Sequence, residues 1–416
     1  MIAMTDTTPT TGPSGPGGAN LRALRDHNSG LLLDLVRDSG ELSRAELAER
    51  SGLTAQAVSK IVARLIGDGV LAESGRAAPS VGKPRTLLRL VPEARLALGA
   101  HLDRDELRLV LVDLAGRIVR SRRVRLRTPP RPATAIARIA GEAHDLVSAG
   151  GVSTDRVLGL GVGAPGPLDH RAGVVSGATN LPGWHEVPLR DRLAEATGFP
   201  VAVDKDTNAA VVAECWRRGE RFRDAVLVYL GTGVGAGLVL DGRVHRGSRT
   251  NAGEFGHTTL VAGGPRCACG RRGCVEAVCG PGAVVARLAR LRGSDPVPQA
   301  EVLRRFAEAC AAARNGDRVA GAELVRAARL FGVAVVDLVN LLDVDQVVLG
   351  GRAVGPAGEP LLAGLRRALA GQARPVGRAP VEVSVSDLGE DLVAAGAAML
   401  VLAGLSGRRL GAALAG

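Results

Sequence analysis

The sequence predicts an α/β chain that opens with a winged helix-turn-helix, on three observations. Residues 21–92 hold two short capped helices around a glycine turn, followed by two strand-like runs. From Leu96 onward short apolar runs alternate with helical periodicity, and most end in glycine-rich segments, the pattern of an α/β ligand-binding domain. Between Glu254 and Glu276 one histidine and three cysteines fall in a short window, the spacing of a metal-binding loop.

Met1 to Asn20 is rich in Thr, Pro, Gly and Ser and has almost no charge. It lacks a basic region followed by an apolar one, so residues 1–20 are expected to be a disordered leader rather than an export signal. Leu21 to Val36 has the apolar spacing of an amphipathic helix. Ser43-Arg44-Ala45-Glu46 is a capping box that opens a short helix to Arg50 with Leu47 inward. Ser51-Gly52-Leu53 makes the turn, and Thr54 caps a second helix from Ala55 to about Ile66. Val58, Ile61, Val62 and Leu65 share its inner face, while Gln56, Ser59, Lys60 and Arg64 point away.

Val70 to Glu73 and Thr86 to Leu90 read as the two strands of a wing, joined by a Gly/Pro/Ser-rich connector with Arg76, Lys83 and Arg85. A plain helical interaction module with a solvated polar face would show some of these features. The turn, both caps and the basic wing together point to double-stranded DNA. In that reading Gln56, Ser59, Lys60 and Arg64 enter the major groove, where Gln and Arg can read base edges. Arg44, Lys83 and Arg85 hold phosphates or reach the minor groove.

In the second part Leu107 to Leu114 is a strand with a hairpin return at Gly116-Arg117. Val157 to Val162, Val201 to Val203, Ala225 to Leu230 and Gln346 to Leu349 are further strands. Glycine-rich loops are expected at 161–166, 231–237 and 350–351. No short-period repeat is visible.

The length of 416 residues suits two or three domains, and 46% hydrophobic residues suffice for real cores. The net charge of +11 favours an acidic partner, although abundant Arg and Ala also follow from a GC-rich genome. Aromatic residues at 2% argue against recognition of single strands by base stacking. No run approaches the ~20 apolar residues of a membrane span. With no export or membrane signal, the expected compartment is the cytoplasm.

His257, Cys267, Cys269 and Cys274 make a complete tetrahedral shell for zinc, with no position left for a catalytic water. The metal would fold a loop and leave Glu254 and Glu276 to face a ligand. The alternatives are ordinary buried cysteines or a disulfide; Cys267 and Cys269 are too close in sequence for easy bridge geometry. Cys279 is a minor alternative ligand, and Cys215 and Cys310 read as core thiols.

These residues together resemble the ROK family of sugar kinases and sugar-responsive repressors. The resemblance rests on ordered motifs: Asn180-Leu181-Pro182-Gly183-Trp184, Asp206-Thr207-Asn208, Gly231-Thr232-Gly233, Glu254-Phe255-Gly256-His257, the Cys-x-Cys-Gly-x-x-Gly-Cys-x-Glu run from Cys267 to Glu276, and Gly350-Gly351. It implies a two-lobed, actin-like (ribonuclease H-like) sugar-kinase fold over residues 96–405, a tail at 406–416, and assembly as homodimers or homotetramers. It also implies that Asp206 matches the general base, and that Glu254, His257 and Glu276 bind sugar hydroxyls together with Gly166, Asn180 and Lys205. Gly231, Thr232, Gly233, Gly350 and Gly351 would be the remnant of a nucleotide site.

Two departures from the kinase pattern favour a regulator over an enzyme. Family kinases carry Asp-x-Gly-Gly-Thr on the first strand, where this chain has His101, Asp103, Arg104 and Asp105. A phosphate cradle needs bare glycine N–H groups, and Asp103, Asp105 and Glu106 should repel ATP. Lys205 replaces a sugar-contacting Asn. It would pair with Asp206 and weaken it as a base, or favour an anionic ligand such as a sugar phosphate or sugar acid; a plain Lys–Asp surface pair is the third reading. The leading expectation is a sugar-responsive repressor with structural zinc, reading a palindromic operator as a symmetric dimer. The alternative is an ATP- and Mg-dependent sugar kinase with an added DNA-binding head.

Overall fold

A computed structural model describes residues 21–76, 85–178, 181–371 and 380–406, with side chains from His27 onward except that of Arg76. The expected leader, the wing tip with Lys83, Asn180 and the tail beyond Ser406 lie outside the described residues.

The head is built as its caps dictate. Helix α1 (Leu21–Ser39) is followed by a short strand β1 (Glu41–Ser43), α2 (Arg44–Ser51), α3 (Ala55–Gly67), β2 (Leu71–Arg76) and β3 (Thr86–Leu90). The Ser43 hydroxyl accepts the Glu46 N–H at 3.3 Å, and the Glu46 carboxylate accepts the Ser43 N–H at 2.8 Å. Thr54 caps α3 through the Ala57 N–H at 3.2 Å. Such caps contribute about 1 kcal/mol each. Gly52 closes α2 at φ 69°, a left-handed conformation that glycine adopts without strain.

The inward residues of the three helices meet in one small core with Leu42, Leu71 and Leu88. Two details depart from the sequence expectation. β1 pairs with β3 in the order β1-β3-β2; three residues carry too little periodicity to be seen. β2 begins at Leu71 and continues to Arg76 through a register shift between Glu73 and Gly75.

The remaining chain forms two sheets of the same plan. The first contains β4 (Leu96–Leu102), β5 (Glu106–Asp113), β6 (Ile118–Arg125), β7 (Val157–Ala164) and, after the small hairpin β8 (Leu168–Asp169) and β9 (Val174–Val175), β10 (Val201–Lys205). Its order is β10-β7-β4-β5-β6, with α4 (Pro132–Ala149) and α5 (Leu189–Thr197) packed together outside. Helix α6 (Asp206–Arg218) leads to the second sheet of β11 (Ala225–Leu230), β12 (Val234–Leu240), β13 (Arg243–Val244), β14 (Gln346–Gly350) and β15 (Glu382–Val385), ordered β13-β12-β11-β14-β15.

Between β13 and β14 run α7 (Val275–Cys279), α8 (Pro281–Leu291), α9 (Val302–Arg314) and α10 (Arg318–Leu342); α11 (Val354–Ala370) links β14 to β15, and α12 (Leu392–Leu402) ends the domain. Each sheet is an antiparallel meander extended by two parallel strands, which is the two-lobed actin-like arrangement. The duplication is one of topology, so the sequence shows no repeat.

α6 and α12 pack on each other between the lobes, and every residue of α12 is buried. α12 lies backbone to backbone on the first sheet: a Cβ on Gly99 would sit 1.9 Å from the Ala394 carbonyl, and one on Gly161 would sit 1.7 Å from that of Ala397. This corrects the expectation of long glycine loops. Gly161 and Gly163 lie inside β7, and Gly235 and Gly237 lie inside β12. They permit close contact with helices α6 and α12, while 165–166, 231–233 and 351 stay outside the strands. Among the described residues no helix is long and apolar enough to cross a membrane.

Candidate functional site

A cavity of about 320 Å³ opens between the lobes. It collects residues far apart in sequence: Gly166 from the end of β7, Lys205 and Asp206 from the β10–α6 junction, Thr232 and Gly233 from the β11–β12 turn, Glu254 and His257, and Glu276 on α7. Gly231, Gly350 and Gly351 do not line it. Gly350 and Gly351 close β14, and a Cβ on Gly351 would meet the Leu230 carbonyl at 2.4 Å.

Asp206 starts α6 at the cleft floor, where its carboxylate accepts the Thr207 N–H at 2.6 Å. Burial pushes its pKa up to about 6; Asp103 and Glu254 add to the rise, and Lys205 and the Thr207 N–H oppose it. The folded value lies above the ordinary ~3.9 of aspartate, so the ionised form costs stability that protonation restores. Asp206→Asn is therefore expected to raise the unfolding midpoint at pH 8, and the gain should shrink as pH falls below about 6 and vanish near the ordinary ~3.9. A pH series of thermal unfolding checks this; an equal shift at all pH values would refute it.

Lys205 is not a surface partner of Asp206. It is buried, its ammonium donates to a Glu254 carboxylate oxygen, and it also reaches the Ala252 carbonyl at 3.2 Å. β10 runs two residues further than expected, so Lys205 points across the cleft rather than outward. Glu276 accepts the Val234 N–H at 2.8 Å with Oε2, leaving its other oxygen to face the cleft.

The corner where the sequence suggested charge repulsion is electrostatically satisfied. Arg352, two residues past the end of β14, reaches across from the second lobe to the β4–β5 turn of the first. Its guanidinium contacts Asp103 at 2.8 Å, Asp105 at 2.6 Å and Glu106 at 3.4 Å. The Thr232 hydroxyl donates to Asp103 at 3.4 Å. The carboxylates of Asp103 and Asp105 are therefore partnered by the chain's own side chains, and Asp103 and Thr232 remain on the cavity wall. His101, at the expected kinase Asp position, is buried edge-on to Tyr229 with ring centroids 6.4 Å apart; burial lowers its pKa.

The metal set converges as its spacing requires. The ligand atoms of His257, Cys267, Cys269 and Cys274 all lie within 4.8 Å of one another. Cys269 Sγ and Cys274 Sγ are 3.7 Å apart, and Cys267 Sγ is 3.6 Å from His257 Nδ1. Zinc bonds of ~2.3 Å to sulfur and ~2.0 Å to nitrogen at tetrahedral angles place such atoms about 3.8 and 3.5 Å apart. The donor set fits zinc. Nδ1 faces the thiols, and Nε2 faces the cleft, 3.9 Å from Glu254 Oε2. Cys279 stands outside the set, bonded to the Val275 carbonyl at 3.2 Å.

On the head, Gln56, Ser59, Lys60 and Arg85 are exposed. Arg64 is exposed too, but its guanidinium donates to the Ser29 hydroxyl on α1. Arg44 pairs with Glu73 of β2 at 3.1 Å. The head is joined to the lobes at the far ends of α6 and α12. Trp216 near the end of α6 lies under Arg37 of α1, with 4.0 Å from guanidinium carbon to ring centroid. Ser406, just past α12, donates to Asp34 of α1 at 2.8 Å. The opposite end of α12 is held beside the cleft corner, where Arg108 bonds Glu106, Glu390 and Asp391. Both helices thus run from the cleft to the DNA-binding head.

Sequence reasoning missed Arg352 because its partners lie 246 to 249 residues away. The only hint was an arginine after a Gly-Gly pair in a chain with three carboxylates in one turn. It also missed Tyr229, which lines the cavity beside His101.

Comparison with known proteins agrees with this geometry. Residues 98–403 match the ROK family model, and residues 25–72 match a winged helix-turn-helix DNA-binding model. The chain is 26% identical to a xylose repressor of Caldicellulosiruptor bescii, over 80% of this chain and 85% of that one. It is 30% identical to a glucokinase of Halalkalibacterium halodurans, over 74% and 95%. The crystal structure of a ROK family transcriptional regulator, a homolog of the E. coli MLC protein, superposes with a TM-score of 0.77 at 27% identity, covering 93% of this chain and 98% of that one. A Streptomyces griseus ROK glucokinase in complex with glucose and AMPPNP gives a TM-score of 0.63 at 28% identity, covering 73% and 98%.

Proposed function

This chain belongs to the ROK family and has the winged-helix architecture of its transcriptional regulators, and from that premise we propose that it is a sugar-responsive repressor of transcription. The observation that carries the reading is the direct mechanical link between cleft and head through α6 and α12. A sugar held by Asp206, Glu254, His257 and Glu276 would alter lobe closure, and Trp216 and Ser406 would pass the change to α1. Such a mechanism requires the sugar to bind the two states with different affinity. The xylose repressor and glucokinase relatives support a monosaccharide-like effector.

Zinc, held by His257, Cys267, Cys269 and Cys274, would fix the imidazole with Nε2 toward the sugar, a ligand orienting a binding residue. The chain's residues do the rest. The carboxylates accept hydroxyl protons, and Lys205 sets the orientation of Glu254. Kinase activity is not part of the proposal, because Arg352, Asp103 and Asp105 occupy the phosphate corner.

On the head, Gln56, Ser59, Lys60 and Arg64 would face bases, Arg64 after leaving the Ser29 hydroxyl. Arg44, Lys83 and Arg85 would serve phosphates, with Arg44 first leaving Glu73. An exposed ion pair such as Arg44–Glu73 is worth little and exchanges readily. The test is fluorescence anisotropy on upstream DNA at fixed salt, with and without a panel of sugars. Lys60→Ala is expected to lose at least about tenfold in operator affinity. Arg37→Ala should keep that affinity and lose its dependence on sugar. Operator binding unchanged by Lys60→Ala would sink the docking, and an intact sugar response in Arg37→Ala would sink the coupling route. ATP consumption with any sugar would restore the kinase reading.

A further inference from the structure

A second cavity, of about 540 Å³, lies away from the cleft at the junction of head and lobes. Four parts of the chain wall it. Arg37 and Asp38 come from the end of α1, and residues 115–118 from the turn into β6. Trp216 and Arg217 come from the end of α6, and Leu388 lies ahead of α12. Three of the lining side chains are guanidiniums, and they are not equally engaged. Arg37 is 7% exposed and is held over the Trp216 ring by Asp34 at 2.9 Å and Asp38 at 3.2 Å. Arg217 meets Asp387 at 3.5 Å, and that acid is 84% exposed, so the pair exchanges readily. Arg117 is exposed and makes no ion pair among the described residues. The neighbouring Asp113 carboxylate instead accepts the N–H groups of Ala115 and Arg117, each at 2.9 Å.

Trp216 adds a donor to the same wall. The residue is 5% exposed, and its indole N–H has no hydrogen-bond partner among the described residues. That edge of the ring lies against Gly116, where a Cβ would meet Nε1 at 2.7 Å. A buried N–H without an acceptor is costly to leave unmet. Ile118 and Leu388 supply apolar surface beside it. Arg117 and Arg217 are thus available to an anion, and guanidiniums bind phosphate oxygens through paired N–H groups. Cavities between domains that combine a few polar groups with apolar wall are the usual form of small-molecule sites. We propose that this junction cavity binds a small organic phosphate, held by Arg117 and Arg217, at a site separate from the sugar cleft. Its walls come from head and lobes together, so the ligand favours the arrangement of head and lobes seen here over one in which they part.

The test is isothermal calorimetry of the full-length protein without DNA or sugar, so its outcome is independent of the repressor reading. The probe is 3-phosphoglycerate. Sulfate and glycerate are the controls, one carrying a comparable anion and the other the carbon part. The probe is expected to bind at least about tenfold more tightly than either control, because only it engages both the arginines and the apolar wall. Arg117→Glu and Arg217→Glu should each weaken it by at least about tenfold, since each puts a like charge against the phosphate. Arg120→Glu makes an equal charge change further along the exposed strand β6, outside the cavity. It should stay within about threefold of wild type, because solvent and salt screen a charge at that remove. Circular dichroism checks that the three variants remain folded. Absence of saturable binding, or sulfate binding as tightly as the probe, would overturn the proposal. So would affinity unchanged in Arg117→Glu and Arg217→Glu, or a loss in Arg120→Glu as large as theirs.

Discussion

Replacing Arg352 with alanine is expected to loosen the two lobes and lower the unfolding midpoint more than any other single change in the cleft. The guanidinium is 8% exposed and holds three carboxylates that are 15%, 24% and 5% exposed. Removing one partner of such a buried pair costs about 3–5 kcal/mol, because the charges left behind lose their compensation without regaining water. The loss should exceed that of Arg352→Lys, whose point charge reaches fewer oxygens. It should be partly repaired by Asp103→Asn/Asp105→Asn in the Arg352→Ala background.

A second readout is the radius of gyration by X-ray scattering, expected to rise without sugar as the lobes part. Operator binding by the same variant should lose its sugar dependence, because the Glu390–Asp391 end of α12 is tied through Arg108 to Glu106 in the same cluster. An unchanged midpoint together with an unchanged radius would show that the clasp does not hold the lobes.

Cys274→Ser is expected to strip the metal and with it the sugar site. The thiol is fully buried, and Cys274 immediately precedes α7, so a metal held there would fix the start of the helix that carries Glu276. Structural zinc contributes on the order of 10 kcal/mol of apparent binding energy in small domains, and that energy is folding energy for the loop. Zinc content by mass spectrometry should fall from about one per chain to near zero. Sugar binding by calorimetry should vanish with it. Operator binding should survive, since the head has its own core of Leu32, Val36, Leu47, Val58 and Leu88. Cys279→Ser is the control and should keep its zinc. Full zinc retention in Cys274→Ser, or a wild-type chain that takes up none, would remove the metal from the account.

The sequence by itself determined the local elements and their chemistry. The Ser43 and Thr54 caps, the inward face of α3 and the Cys-x-Cys run were legible because each is set by neighbours within a few residues. The convergence of His257, Cys267, Cys269 and Cys274 into one cluster that could hold a metal was readable for the same reason, and so was the family that the ordered motifs carry. Tertiary structure alone decided the rest. It turned Lys205 from a supposed surface partner of Asp206 into a buried partner of Glu254, 49 residues away. It moved Gly161, Gly163, Gly235 and Gly237 from loops into strands, where the absent Cβ admits a helix backbone at Gly161 and Gly237 and helix side chains at Gly163 and Gly235. It also paired Asp103, Asp105 and Glu106, expected to repel, with Arg352 from the other lobe. Charges in a sequence carry sign but no distance, and Coulomb energy depends on both. Only the fold supplies the distance.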